Sequence, residues 1–401
     1  MQEKLRMGFS FDYNLPQERI ALYPLQERSD SKLLMYDGQV ISTKVFSDLP
    51  QILSEFSLMV RNSSKVLRSR IFMNRISGAK IEFFFLEAEN ILKGTATVHC
   101  LIRNVKKLKK GEVLSSSVTV NNEKIVLYAS YVEKTADHCR VKFNWSDDSL
   151  DFYEILYLFG ITPLPPYINR NVTESDTERY QTIYAHEHGS VAAPTAGLHF
   201  SEKLGREFKM RNIETAHVVL HVGLGTFQPM KSDRPEDHTM HSEHFSVSKQ
   251  TIEQLADYDQ HNIVCVGTTT LRTLESLYIA GHTLSKEASP YQLCIGQWDA
   301  QRVNSFMPRQ NIWNSLIEYM NSHGVSYLSG KTSLMITPEY SCRSIDYLIT
   351  NFHQPNSTLL LIVASLIGNK WKEVYQYALD NEFRFLSYGD ACLFKNLRTS
   401  V

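Results

Sequence analysis

The sequence predicts an α/β fold: a main α/β domain carrying an inserted small antiparallel β-barrel-like domain. Three observations carry this reading. From about residue 150 onward, apolar runs of strand length alternate with helical patterns, as in a sheet covered by helices. Residues 66–147 have strand character throughout, broken at short spacing by turn residues, which suits a small barrel or curled sheet. The first 60 residues hold two more strands. The simplest topology therefore gives 1–60 and 150–401 to the α/β domain and 61–149 to the insert. A chain of 401 residues has room for two or three domains at roughly 150 residues each.

Taken in order, strands are expected near 32–36 and 58–60. In the insert, 80–86, 94–102, 117–120, 124–132 and 139–145 are rich in Val, Ile, Phe, Tyr and Thr, the residues that suit a pleated, half-buried surface. Gly78, Lys110-Gly111, Asn121-Asn122 and Asp137-His138 separate them as turns. Beyond the insert, 151–159 and 201–211 read as helices, with Ser201 as N-cap. A strand over 215–222, a helix over 250–261 and a buried strand over 262–266 follow. Gly267-Thr268-Thr269-Thr270 leads into a helix ending near Gly281. A strand over 345–350 and a loop over 351–356 precede a helix that starts near Ser357.

Hydrophobic residues at 43% and charged residues at 21% exclude a disordered or coiled-coil chain. The apolar run 359–364 is far short of the ~20 residues that a membrane span needs. Glu3, Arg6 and Asp12 interrupt any secretion-signal core at the start. Cys100, Cys139, Cys265, Cys294, Cys342 and Cys392 have no CxxC spacing, so reduced thiols, a cytoplasmic protein and no metal site are expected.

The net charge of −1 hides a local asymmetry. Between Arg61 and Lys110, twelve basic residues face only Glu82, Glu87 and Glu89. Such an excess attracts a polyanion, because each phosphate contact releases counterions. Lys65, Arg68, Arg70, Lys106, Lys107, Lys109 and Lys110 are the candidates for that contact. A solvated turn before Gly111 explains the lysine run equally well.

Eight of the fourteen histidines fall between His186 and His244. They lie on several different elements, with no HExxH and no cysteine among them, so acid–base work near neutral pH fits them better than a metal. Asp237, His238, His241 and Glu243 form the densest titratable group. Gly223-Leu224-Gly225-Thr226 follows a strand directly and lets a ligand approach the backbone, but Gln228 breaks the GxGxxG pattern of a dinucleotide fold. Thr268, Thr269 and Thr270 begin a helix after a strand, and Asn351, His353 and Ser357 stand at a second junction of the same type. Loops at strand C-termini are where α/β sheets bind ligands, although plain threonine capping would leave the same pattern. The absence of GxSxG, HRD and GKS/T strings argues against a hydrolase triad, a kinase and a P-loop.

Several strings together resemble one family, the S-adenosylmethionine:tRNA ribosyltransferase-isomerases of the queuosine pathway. They include FDYNLP (11–16), LPPYI (164–168), ERYQTIYA (178–185), GSVAAPTAGLHF (189–200), LHVGLGTF (220–227) and HTMHSEHF (238–245). VGTTTLRTLES (266–276), DYLITNFHQPNSTLL (346–360) and FRFLSYGDACL (383–393) continue the match in collinear order. The resemblance implies an α/β domain with an inserted barrel-like domain. It implies an enzyme that moves the ribosyl unit of S-adenosylmethionine onto 7-aminomethyl-7-deazaguanine at the tRNA wobble position. Epoxyqueuosine, adenine and methionine are the products. S-adenosylmethionine is then a co-substrate, no cofactor is needed, and tRNA is the partner of a cytoplasmic monomer with no membrane contact.

That chemistry needs a base beside the sulfonium, a proton for the departing purine and removal of a proton from the acceptor ammonium. Asp237, His238, His241 and Glu243, with His199 near them, are the expected catalytic set. Gly223, Gly225, Thr226, Thr268, Thr269, Thr270, Asn351, His353 and Ser357 are expected around the donor. The chain departs from the family's Asn-Asp-Thr-Arg string with Asn62-Ser63-Ser64-Lys65, and from its usual Leu and Lys with Gln354 and Asn356. These departures bear on acceptor and tRNA recognition. Two other readings use the same residues: a relative serving another acceptor, and a non-catalytic RNA-binding protein on the same scaffold.

Overall fold

The computed structural model describes residues 11–103, 105–223, 225, 230, 235–284, 292–303 and 307–398. The α/β part is built on a ten-stranded mixed sheet. Its order is Gln292–Ile295, Tyr327–Thr332, Glu243–Ser248, Glu214–Leu220, Leu58–Asn62, Ile263–Val266, Tyr347–Asn351, Ala391–Lys395, Lys32–Tyr36, Ile41–Val45. The four central strands, from Glu214–Leu220 to Tyr347–Asn351, are mutually parallel. All five residues of Leu58–Asn62 and all four of Ile263–Val266 are buried, as expected of strands with helices on both faces.

Side-chain alternation divides these strands between two cores. Leu58, Val60, Ile263, Cys265 and Leu348 face the helices Thr268–Leu284, Arg309–His323, Thr358–Ile367 and Trp371–Asp380. Met59, Val264, Val266 and Ile349 face Phe46, Leu49 and the helix Glu202–Met210. The helix Thr268–Leu284 is buried from Thr268 to His282. Three of its buried hydroxyls are satisfied locally: Thr270, Thr273 and Ser276 each donate to the carbonyl four residues back. Ala391–Lys395 runs antiparallel to Tyr347–Asn351 and parallel to Lys32–Tyr36, so the end of the chain closes onto its beginning.

The second body is a closed antiparallel barrel. Arg70–Asn74, Lys80–Leu92, Thr95–Ile102, Cys139–Trp145, Glu123–Lys134 and Val113–Val120 follow one another around it, and the pair Asn74–Ser115 closes the ring. The sequence predicts five of these strands; Arg70–Asn74 is the sixth and completes the barrel. Ile71, Phe83, Val98, Leu127, Val141 and Phe143 fill the interior. The helix Phe152–Phe159 packs Phe152, Ile155 and Leu156 into the same core. It is started by a reciprocal pair: Asp151 Oδ1 accepts from Glu154 N, and Glu154 Oε2 accepts from Asp151 N, both at 2.8 Å. A short parallel ladder, Ser64–Val66 with Glu187–Ser190, runs beside the passage from sheet to barrel. All six cysteines are free, and Cys294 is the exposed one. Among the described residues no helix is long and apolar enough to cross a membrane.

Candidate active site

A pocket opens at the C-terminal ends of the central parallel strands. It encloses about 610 Å3, part of it open to solvent. Three strand exits supply its walls: Val222 after Glu214–Leu220, Gly267 to Thr269 after Ile263–Val266, and Thr350 to Gln354 at the end of Tyr347–Asn351. Gly267 has φ of +90°, a conformation open to glycine, and it turns the chain from strand into helix. The first turn of Thr268–Leu284 and that of Thr358–Ile367 both border the pocket. First-turn amides have no intrahelical acceptor, so they face a ligand as donors with a favourable dipole.

Of the nine residues expected around the donor, Thr268, Thr269, Asn351, His353 and Ser357 line this one pocket. The Thr269 Oγ1 is buried and has no hydrogen-bond partner among the described residues. Thr270 points elsewhere, donating to the Val266 carbonyl at 2.7 Å. Ser357 caps its helix by accepting from Leu360 N at 3.3 Å. Gly223 and Gly225 are absent from the lining and serve a neighbouring group instead. Thr226 lies outside the described residues.

That neighbouring group is built on Glu243, the first residue of its strand. Its Oε1 accepts from the Gly223 N–H at 2.9 Å, and its Oε2 lies 2.6 Å from Arg272 Nη2 in a buried ion pair. Arg272 stands one turn along the helix that begins at Thr268, so this pair connects the glycine loop to the pocket's helix. Gly225 is needed for close approach, because a Cβ there would come within 2.1 Å of His241 Cδ2. His241 is exposed. Asp237, also exposed, ends the short turn Pro235–Asp237. Gln297 pins this loop, donating to the His238 carbonyl at 2.6 Å and accepting from Met240 N at 3.0 Å.

His199 has a different setting. Its Nε2 accepts from Asn351 Nδ2 at 3.1 Å, which leaves the ring proton on Nδ1, toward Ser31 Oγ at 2.8 Å. Thr195 Oγ1 donates to Asn351 Oδ1 at 2.9 Å and fixes the amide's orientation. Burial, reinforced by Arg384 and Arg28, lowers His199 to about 3. Burial alone lowers His353 to about 3. Both rings are neutral at pH 7, and His199, which is not itself in the pocket's lining, holds the pocket residue Asn351 by a hydrogen bond.

Sequence reasoning missed Tyr167 and Ser387. Both line the pocket, and their hydroxyl oxygens are 2.6 Å apart. They lie within the strings LPPYI and FRFLSYGDACL, and that placement is the signal that could have found them. The Asn62-Ser63-Ser64-Lys65 departure sits at a buried strand exit. There Asn62 Oδ1 accepts from Leu220 N at 3.1 Å and Ser64 Oγ is 3.0 Å from Ser190 Oγ. Among the described residues no cluster of three or more His, Cys, Asp or Glu side chains is placed to hold a metal ion.

The basic candidates divide by setting. Lys106, Lys109 and Lys110 are exposed, and the side chain of Lys107 lies outside the described residues. Arg70 pairs with Glu82 at 2.8 Å, while Lys65 and Arg68 border a groove between the helix Phe152–Phe159 and the segment 177–183.

Fold and site together define an α/β protein with a ligand pocket at the ends of its parallel strands and a basic barrel beside it. Residues 9–394 match the family described as queuosine biosynthesis protein, and the chain belongs to that family. Its relatives include the S-adenosylmethionine:tRNA ribosyltransferase-isomerase of Thermotoga petrophila, 38% identical over 391 residues, covering 96% of this chain and 98% of that protein. The protein of the same name from Nitrosomonas europaea is 35% identical, covering 96% and 95%. A crystal structure of S-adenosylmethionine tRNA ribosyltransferase from Thermotoga maritima aligns at a TM-score of 0.46 and 27% identity, over 96% of this chain and 99% of that one.

Proposed function

We propose that this chain is an S-adenosylmethionine:tRNA ribosyltransferase-isomerase. It transfers and isomerises the ribosyl unit of S-adenosylmethionine onto 7-aminomethyl-7-deazaguanine at the tRNA wobble position. Adenine and methionine leave, and epoxyqueuosine results. The donor is a co-substrate, and the protein works as a cytoplasmic monomer.

One observation carries the assignment of the donor to the pocket: the Thr269 hydroxyl is desolvated beside two helix N-termini and has no partner among the described residues. Leaving such a group unpaired costs roughly 1–3 kcal/mol, and a polar ligand in the pocket removes that cost. The ribose and carboxylate groups of the donor are suited to these donors. The sulfonium acidifies the adjacent 5′ carbon, so a base must reach it. Glu243 and His241 stand at the glycine loop for proton transfers, with Asp237 and His238 on the same segment. The neutral ring of His353 offers a hydrogen-bonding partner without adding positive charge next to the sulfonium. Lys65, Arg68, Arg70, Lys106, Lys107, Lys109 and Lys110 contribute to the phosphate-facing surface.

The test is adenine release, followed by chromatography, from S-adenosylmethionine in the presence of tRNA bearing the precursor base. Release that depends on this tRNA supports the proposal. Release with some other acceptor alone, or none at all, overturns it.

A further inference from the structure

The helix Phe152–Phe159 turns one face into the barrel core and leaves Tyr153 and Tyr157 on another. These two positions are four apart and therefore neighbours on the helix surface. Tyr157 is 60% exposed. The Arg68 guanidinium carbon lies 3.9 Å from its ring centroid, and Arg68 Nη1 donates to the Tyr157 carbonyl at 2.8 Å. One ring face is thus capped by a cation while much of the ring stays open to solvent. Tyr153 packs on His188, ring centroids 5.5 Å apart, and His188 pairs with Lys65 in the short parallel ladder.

Lys65, Arg68, Tyr153 and Tyr157 border the same groove, which lies between the helix Phe152–Phe159 and the segment 177–183. Arg68 also borders a second groove, together with Arg70 and Arg103. Among the described residues no carboxylate forms an ion pair with Lys65 or Arg68. Glu178 and Glu202 also line the groove, on its other side; exposed aromatic rings edged by cations outside any ion pair are suited to single-stranded nucleic acid, whose bases stack on the rings while its phosphates meet the cations.

We infer that Tyr157, backed by Arg68, is a stacking platform for an unpaired base of an RNA loop, with Lys65 meeting a phosphate and Tyr153 extending the aromatic surface. The inference rests on the tRNA substrate proposed above, whose reacting base sits in a single-stranded loop. It adds a role for two tyrosines that the donor pocket does not use.

The experiment uses the full chain and an anticodon stem-loop RNA carrying 2-aminopurine beside the wobble position. Wild type should quench the fluorophore on binding. Tyr157→Ala should lose most of the quenching and raise the apparent Kd about 10-fold, whereas Tyr157→Phe should keep both near wild type. The slope of log Kd against log salt should stay unchanged in Tyr157→Ala and become shallower in Lys65→Gln. Tyr157→Leu carries the test should the alanine variant lose its thermal transition. Tyr157→Ala or Tyr157→Leu, folded and binding like wild type, overturns the platform. Adenine release by wild type is measured alongside. Its presence with unchanged variant binding overturns the platform alone. Its absence together with no RNA binding overturns the proposed function and the platform with it.

Discussion

At the scale of single residues, the site depends on polar groups held without charge. Thr269 offers a hydroxyl that no described residue satisfies, so Thr269→Val should weaken S-adenosylmethionine binding about 10-fold, the size of one hydrogen bond removed. Titration calorimetry reads this, with the melting temperature as a control; unchanged affinity would remove Thr269 from the donor site. His241 and Glu243 should behave differently from each other. His241 is exposed, so His241→Ala should lower turnover about 10²-fold with little change in melting temperature. Glu243→Gln leaves Arg272 buried beside a neutral side chain, so stability should fall with activity, by about 3–5 kcal/mol if the pair is fully broken. Wild-type turnover in a folded His241→Ala protein would exclude a catalytic role for that ring. Two buried histidines contribute to the response to acid. His199 and His353 sit at about 3, against an ordinary value of 6.5. Between these values the unfolded chain binds more protons at these two positions, so their contribution to stability is full above pH 6.5 and is lost as the pH drops toward 3. The His199→Gln variant should show a shallower fall in urea midpoint below pH 6.5 than wild type. Parallel slopes would show that His199 is not a source of the acid sensitivity.

At the scale of elements, the sequence was most readable where one strand was followed by a turn and a helix. Thr268 and Thr269, and then Asn351, His353 and Ser357, stood at two such junctions, and the structure brings both to one pocket. The glycine loop was legible as a close-approach site, but not its partner: Gly225 makes room for His241, an approach between segments that spacing along the chain does not reveal. His199 could not be separated from the other histidines by pattern, because its hydrogen bonds to Ser31 and Asn351 join residues more than 150 positions away. Several strands escaped for local reasons. Arg70–Asn74 is five residues with a polar residue at each end, and Ile41–Val45 is an edge strand with an exposed face. Ala391–Lys395 is held in place by pairing with Lys32–Tyr36 at the other end of the chain. The lysine turn of the barrel gives the prediction at this scale. Lys106, Lys109 and Lys110, all changed to Gln, should raise the apparent constant for tRNA and make its salt dependence shallower, by roughly one unit of slope for each phosphate no longer neutralised. Donor affinity should hold. An unchanged slope in binding curves taken at several salt concentrations would show that this turn is not part of the tRNA surface.

For the whole molecule, the arrangement separates two tasks. The α/β sheet presents a pocket at its strand ends, lined by hydroxyls and helix amides that suit the small polar groups of the proposed donor. Basic side chains at and beside the barrel border two grooves next to the segment 160–183. Phosphate contacts position an RNA without reading its bases, so the barrel would supply affinity and the pocket would supply chemistry. The composition was a poor guide to this division: the net charge of −1 averages a basic barrel face with an acidic remainder. The central claim is that the ribosyl carbons of S-adenosylmethionine end up on the tRNA base. Nucleoside mass analysis of tRNA bearing 7-aminomethyl-7-deazaguanine, after incubation with the enzyme and a donor labelled in its ribose, tests this most directly. Loss of the precursor nucleoside and appearance of labelled epoxyqueuosine are the expected result. An unchanged precursor, or a product that carries the donor's methyl group and no ribose label, would contradict it.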